Sequence, residues 1–156
     1  MGENTDYIFE PLSETDVDEV ERIEKESFSE AWSRDAFTDA IGNEFHRIFC
    51  LKRKGEGENE LLGYIGWAVV YGEAEITNVA IDKKFRGHGY GNVLMEKAIA
   101  VIEKEDNKNV FLEVRAGNKP AIGLYDKFGF KEIGVRKNFY RFPTEDALVM
   151  MKTIGE

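Results

Sequence analysis

The segment Val79-Ala80-Ile81-Asp82-Lys83-Lys84-Phe85-Arg86-Gly87-His88-Gly89-Tyr90-Gly91 constrains this chain more than any other. An apolar β-like run passes into a basic turn with glycine at alternate positions. A helical stripe of Val93, Leu94, Ala98, Val101 and Ile102 comes next. Without Cβ atoms at 87, 89 and 91, successive backbone N–H groups can approach an anion closely. The helix start adds its own free N–H groups and the positive end of its dipole. Arg86, Gly87, His88, Gly89, Tyr90 and Gly91 therefore form a candidate diphosphate cradle. An ordinary strand-to-helix turn is the competing reading. The spacing matches neither a triphosphate P-loop, which needs a following Lys-Ser or Lys-Thr, nor the Gly-x-Gly-x-x-Gly dinucleotide fingerprint.

The surrounding pattern alternates short elements. Tyr7–Leu12 reads as a strand, and Ser13-x-x-Asp16 as a helix start leading into Val17, Val20, Ile23 and Phe28. A second helix is expected from Ser33, stopping at Gly42. Arg47–Arg53 reads as a strand. Leu61–Val70 and Glu73–Ile81 form a hairpin about Tyr71-Gly72. Val110–Val114 is a buried-type strand, and Asn118-Lys119-Pro120 opens a short helix closed by Gly129. Lys131–Arg136 and Ala147–Thr153 finish the chain as strands about a Phe139–Asp146 connection. The expected fold is a mixed α/β (α+β) architecture in one domain, residues 1–156, long enough for a single sizeable core.

The net charge of −9 argues against direct nucleic-acid binding, which needs a basic surface. It suits a cationic macromolecular substrate, or simply solubility. No apolar run is long enough to span a membrane and no signal-peptide pattern is evident, so a cytoplasmic protein without membrane contact is expected. Cys50 is alone in an apolar run and reads as a small buried hydrophobe. With two well-separated histidines and one cysteine, no metal-ligand cluster is visible and no metal is expected.

Arg86-x-x-Gly89-x-Gly91, the strand before it and the element order resemble the GNAT N-acetyltransferases. Leu112-Glu113-Val114-Arg115-Ala116-x-Asn118-x-x-Ala121-Ile122-x-Leu124-Tyr125-x-x-x-Gly129-Phe130 resembles the RimI-type protein N-terminal acetyltransferases in particular. Arg136-x-Asn138-Phe139-Tyr140 continues the likeness. It implies a GNAT fold: a mixed, mostly antiparallel sheet of about seven strands with about four helices, and splayed strands forming an acyl-CoA cleft. It implies acetyl-CoA as donor and a protein or peptide N-terminus, including ribosomal proteins, as acceptor. A lysine side chain or small amine is the alternative acceptor, and a non-catalytic acyl-CoA sensor the alternative class.

Under that resemblance, backbone groups of Val79, Ala80 and Ile81 would bond the pantetheine arm like an added strand. Asn118 would touch the same arm, besides capping its helix. Glu113, in an apolar strand, is the first candidate for general base, because burial raises a carboxyl pKa; a salt bridge, for instance with Arg115, is its structural alternative. Tyr125 is the candidate acid for the leaving sulfur. Glu75 is a rival base. Strand alternation puts it on one face with Thr77 and Val79, and RimI-type proteins typically lack it. The base is then Glu113, Glu75 or a water held by both. Phe28, Trp32, Asn138 and Tyr140 are the implied acceptor-binding residues. Ala31-Trp32 replaces the usual Pro-Trp of the RimI type, so acceptor preference does not carry over.

Overall fold

A computed structural model describes residues 6–154. Among these residues seven strands form one sheet. They are β1 (Tyr7–Pro11), β2 (His46–Arg53), β3 (Glu60–Val70), β4 (Glu73–Ile81), β5 (Asn109–Arg115), β6 (Lys131–Tyr140) and β7 (Glu145–Thr153). Their order is β1-β2-β3-β4-β5-β7-β6, and every pairing is antiparallel except β4 with β5. Four helices complete the fold: α1 (Val17–Ser27), α2 (Arg34–Ala40), α3 (Tyr90–Lys104) and α4 (Lys119–Lys127). The expected element order and fold class hold. None of the helices is long and apolar enough to cross a membrane.

The sheet is covered on both faces. On one face α3 buries Leu94, Met95, Ala98 and Ile102 completely against Ile65, Trp67 and Leu112. Each large apolar side chain removed from water in this way contributes about 1.5–3 kcal/mol. On the other face Val20 and Ile23 of α1 and Phe37 of α2 close over Ile48, Cys50 and Tyr64. Cys50 is fully buried, and burial pushes its thiol pKa up, so it packs as an inert hydrophobe.

Local signals account for most helix ends. Ser33 Oγ accepts the Ala36 N–H at 3.1 Å and starts α2, while Asn118 Oδ1 accepts the Ala121 N–H at 3.2 Å and starts α4. Ser13-x-x-Asp16 begins a 3-10 turn over Glu14–Asp16, and α1 continues from Val17. The last two strands are longer than the sequence suggests. β6 continues to Tyr140 and β7 begins at Glu145, leaving a connection of Arg141–Thr144. Irregularities between Arg136 and Tyr140 hide this extension, because Asn138 takes φ +52° and breaks the alternation.

β4 and β5 pair only at Glu73–Asn109, Ala74–Val110 and Glu75–Phe111, then separate. β4 stays paired with β3 to Ile81, and β5 with β7 to Arg115. A V-shaped gap therefore opens above Glu75. β4 also carries a bulge: Trp67 pairs with Ile76 and Gly66 with Asn78, leaving Thr77 extra. The bulge reverses the facing of the residues beyond it. Ala74 and Ile76 pack with the α3 core, and so do Val79 and Ile81, whereas Asn78 and Ala80 face α1. The expectation that Glu75, Thr77 and Val79 share a face therefore fails at Val79.

Gly63 lies opposite Ile81, where a Cβ would sit 2.5 Å from the Ala80 carbonyl oxygen and 2.7 Å from Ile81 Cδ1. Gly63→Ala must push the end of β4 away from β3. It is expected to lower the unfolding free energy by about 1–3 kcal/mol, seen as a lower denaturation midpoint at unchanged m-value. An unchanged midpoint would contradict this close approach.

Candidate active site

The glycine turn comes directly after the open end of β4. A 3-10 turn over Lys83–Phe85 leads to Arg86, and Gly87 and Gly89 both take φ +83°, a region open to glycine at little cost. Gly91 already lies in α3, where an added Cβ would just touch Leu124 Cδ2 at 3.4 Å. Among the described residues the N–H groups of Gly87, His88, Gly89, Tyr90 and Gly91 have no backbone acceptor. Those N–H groups and the start of α3 form one concavity of free donors, suited to an anion. The Tyr90 hydroxyl accepts from Arg53 Nη1 at 2.7 Å.

Arg86 is directed elsewhere. Its Nε donates to the Ile81 carbonyl at 3.0 Å, and its Nη2 to Ser27 Oγ at 2.9 Å. The side chain ties the turn to the end of α1 and uses the carbonyl of Ile81. Val79 and Ala80 occupy the β4 edge that β5 has left.

Glu113 sits on β5 beside the gap. Val110, Leu112 and Val114 alternate into the α3 core, so Glu113 and Arg115 face the α1 side. The Glu113 side chain is 19% exposed and pairs with Arg136 Nε at 2.5 Å. Its salt-bridge partner is thus Arg136 and not Arg115. Burial raises the Glu113 pKa, the Arg136 guanidinium pulls it back, and nearby Glu75 raises it again; the net direction is upward. Glu75 is exposed and stands at the last pair before the strands part. Both carboxylates line a cleft of about 540 Å³ with Phe111, Arg136 and Val149.

Tyr125 lies on the opposite face. α4 holds it in the α3-side core beside Phe130, with burial pushing its pKa up to about 12. Its hydroxyl has no hydrogen-bond partner among the described residues, and the charge that Tyr140 would carry acts on it. Tyr140 is itself pushed up to about 12, first by burial and then by Glu113. Tyr140 thus lies within electrostatic reach of both Glu113 and Tyr125.

The other predicted residues separate into two groups. Phe28 is exposed at the end of α1, next to Ser29, and Tyr140 ends β6 close enough to Glu113 to feel its charge. Trp32 packs its ring on Phe37 at 5.3 Å and on His46 at 5.0 Å, half-buried against the core under α2. Asn138 holds the β6 irregularity through its N–H to Asp146 Oδ1 at 2.9 Å. Two contributors are not recognisable in the sequence as site residues. Arg136 shows there only as part of a motif. Glu24, 2% exposed, accepts from Tyr64 Oη at 2.6 Å and from the Trp32 N–H at 2.9 Å, fixing the α1–α2 segment.

A splayed β4/β5 pair, a glycine turn directly after it and a partly buried carboxyl beside it are the arrangement of an acyl-CoA-dependent amine acyltransferase. The acetyltransferase (GNAT) family profile matches residues 17–130, and the chain belongs to that family. It is an acetyl-CoA-dependent N-acetyltransferase. A relative from Bacillus subtilis (strain 168), provisionally named a [ribosomal protein bS18]-alanine N-acetyltransferase, is 39% identical over 142 residues, covering 90% of this chain and 91% of its own. The ribosomal-protein-S18-alanine N-acetyltransferase of Escherichia coli superposes with TM-score 0.85 at 31% identity, covering 96% of this chain and 95% of that one. Arabidopsis thaliana NAA60, solved with acetyl-CoA, shares the fold at TM-score 0.83 and 18% identity, covering 95% and 98%.

The ion pair at Glu113 has a measurable consequence. The guanidinium favours the carboxylate, so removing it must move the titration to higher pH. Arg136→Gln is expected to raise the Glu113 midpoint in a carbon-detected NMR titration. A midpoint that stays or falls would show that Arg136 does not govern this carboxyl.

Proposed function

We propose that this chain, acting as a single domain, transfers the acetyl group of acetyl-CoA to the N-terminal α-amine of a protein, with a bS18-type ribosomal protein as the first acceptor to consider. The observation that carries the reading is the separation of β4 from β5 beyond Glu75, with the raised-pKa carboxyl of Glu113 beside the gap, in a chain whose relatives are named for that acceptor. A lone buried cysteine accords with a reducing, cytoplasmic setting.

Acetyl-CoA supplies an electrophilic thioester carbonyl and a thiolate leaving group. In this reading the amides of Gly87, His88, Gly89, Tyr90 and Gly91 hold the pyrophosphate. The open edge at Val79, Ala80 and Ile81 aligns the pantetheine, with Asn118 beside it. Arg86 shapes the turn rather than binding the anion. The acceptor enters from the α1 face between Phe28 and Tyr140.

An ammonium has no lone pair, so the amine must first lose a proton. Glu113 takes it, directly or through water, because its raised pKa brings its basicity nearer to neutral pH. Glu75 is exposed and serves better as a second negative charge that keeps the Glu113 pKa high. On the other face Tyr125 stays protonated at any physiological pH and donates its hydroxyl proton to the departing sulfur. No enzyme nucleophile is needed.

The direct test offers acetyl-CoA and a pool of peptides with varied N-termini, each with an internal lysine. Fragmentation by mass spectrometry then locates the acetyl group. Acetyl on the α-amine is expected, best on peptides with the bS18 N-terminus. Acetyl confined to lysine would overturn the reading.

Substitutions test the roles. Glu113→Gln and Tyr125→Phe are each expected to lower kcat by about 10²–10⁴-fold with folding preserved. Glu75→Gln should keep the acidic limb of the pH–rate profile but shift it to lower pH, since one negative neighbour is gone. Loss of that limb in Glu75→Gln, and its survival in Glu113→Gln, would make Glu75 the base.

A further inference from the structure

Arg115 lies two residues beyond Glu113 on the same face of β5, and the reaction above does not use it. Its guanidinium reaches two separate segments. Nη1 donates to the Pro143 carbonyl at 2.9 Å and to Glu145 Oε1 at 3.1 Å. Nη2 donates to the Arg141 carbonyl at 2.9 Å and to Ser29 Oγ at 3.1 Å. The guanidinium also lies 4.5 Å from the Tyr140 ring centroid.

The bonded groups are linked among themselves. Ser29 Oγ donates to the Arg141 carbonyl at 3.0 Å, and the Arg141 N–H donates to Glu30 Oε1 at 3.3 Å. Glu145 Oε2 accepts the Gly117 N–H at 2.6 Å, which anchors the cluster to the segment after β5. Ser29 and Glu30 belong to the connection between α1 and α2; Arg141 and Pro143 belong to that between β6 and β7. Phe28 is fixed from both sides, because Ser27 Oγ is held by Arg86 and Ser29 Oγ by Arg115.

We propose that Arg115 is a positioning residue: it latches the α1–α2 and β6–β7 segments together and so sets the width of the acceptor entrance between Phe28 and Tyr140. This rests on the reading that the acceptor enters there. A planar fork with several donors can serve four acceptors on two segments at once while its face stacks on Tyr140. A lysine ammonium is a point charge on a flexible stem and cannot. The glycine turn is on the other side of the gap, so the latch acts first on acceptor binding.

Arg115→Lys keeps the charge and the stem but loses the fork. The KM for the acceptor peptide is expected to rise about tenfold, while kcat, the KM for acetyl-CoA and the acidic limb of the pH profile stay near wild type. Ser29→Ala should raise the same KM by less. The double variant should be no worse than Arg115→Lys, because both changes act on one unit. Hydrogen exchange on the protein alone should show residues 28–33 and 141–144 losing protection together in Arg115→Lys. An unchanged peptide KM in an active variant, parallel rises in both KM values, or exchange rising in one segment only would overturn the latch. A wild-type protein that acetylates no α-amine would overturn the proposed function instead, and the exchange comparison would still decide the latch.

Discussion

The early end of the β4–β5 ladder governs this structure. Both strands are secured on their outer sides, β4 by β3 along its length and β5 by β7 from Asn109 to Arg115. Neither needs the other beyond Glu75, so the gap opens without loss of the sheet. The inner edges of Ile76–Ile81 and Leu112–Arg115 must find other partners for their backbone groups, since unpaired buried polar groups are costly. Arg86 supplies one such partner at the Ile81 carbonyl. An extended chain laid in the gap can supply others, as an added strand does at any open edge. The fold thus creates its cofactor groove by leaving one pairing unfinished.

The same gap lets chemistry pass through a sheet that otherwise separates its two faces. Glu113 faces α1 because strand alternation sends Leu112 and Val114 into the α3 core. Tyr125 comes from α4 on that core side. In a continuous sheet the two could not serve one reaction centre. In the proposed reaction the phenol would meet the leaving group from one side and the carboxyl the amine from the other. That geometry lets one proton be taken up and another delivered without the two groups competing. Burial distinguishes the carboxylates: Glu113 is largely enclosed, whereas Glu75 stands exposed where the strands part.

The parts legible in the sequence are those written in local chemistry. The glycines at 87 and 89, the Asn118–Pro120 helix start and the apolar stripe of α3 each signal themselves within a few residues. The parts that escape depend on distant partners. Ile76-Thr77-Asn78-Val79 reads as plain alternation, with no glycine or proline to mark the bulge, so the reversal at Val79 is hidden. Glu24 sits among Glu21, Lys25 and Glu26 and looks like part of a solvated helix face. Only the folded chain brings Tyr64 and the Trp32 N–H to it. Arg136 and Glu113 are far apart in sequence and lie on strands that β7 separates; they meet because the long arginine side chain reaches across β7.

Charge is arranged locally, and the net value conceals this. A chain of net charge −9 would repel a polyanionic donor if only the total mattered. Screening at physiological ionic strength confines the field of exposed charges to about 8 Å. Within that range the turn carries Lys83, Lys84 and Arg86, with Arg53 bonded to Tyr90 at the start of α3. The cleft where the strands part carries Glu73, Glu75 and Glu113 against a single cation among the described residues, Arg136, which pairs with Glu113. The site is therefore positive where a pyrophosphate would sit and negative where an ammonium would arrive. Moving acidic residues elsewhere on the surface would change solubility and leave this polarity intact, because the two charged ends are set by which strands diverge and which turn comes after them.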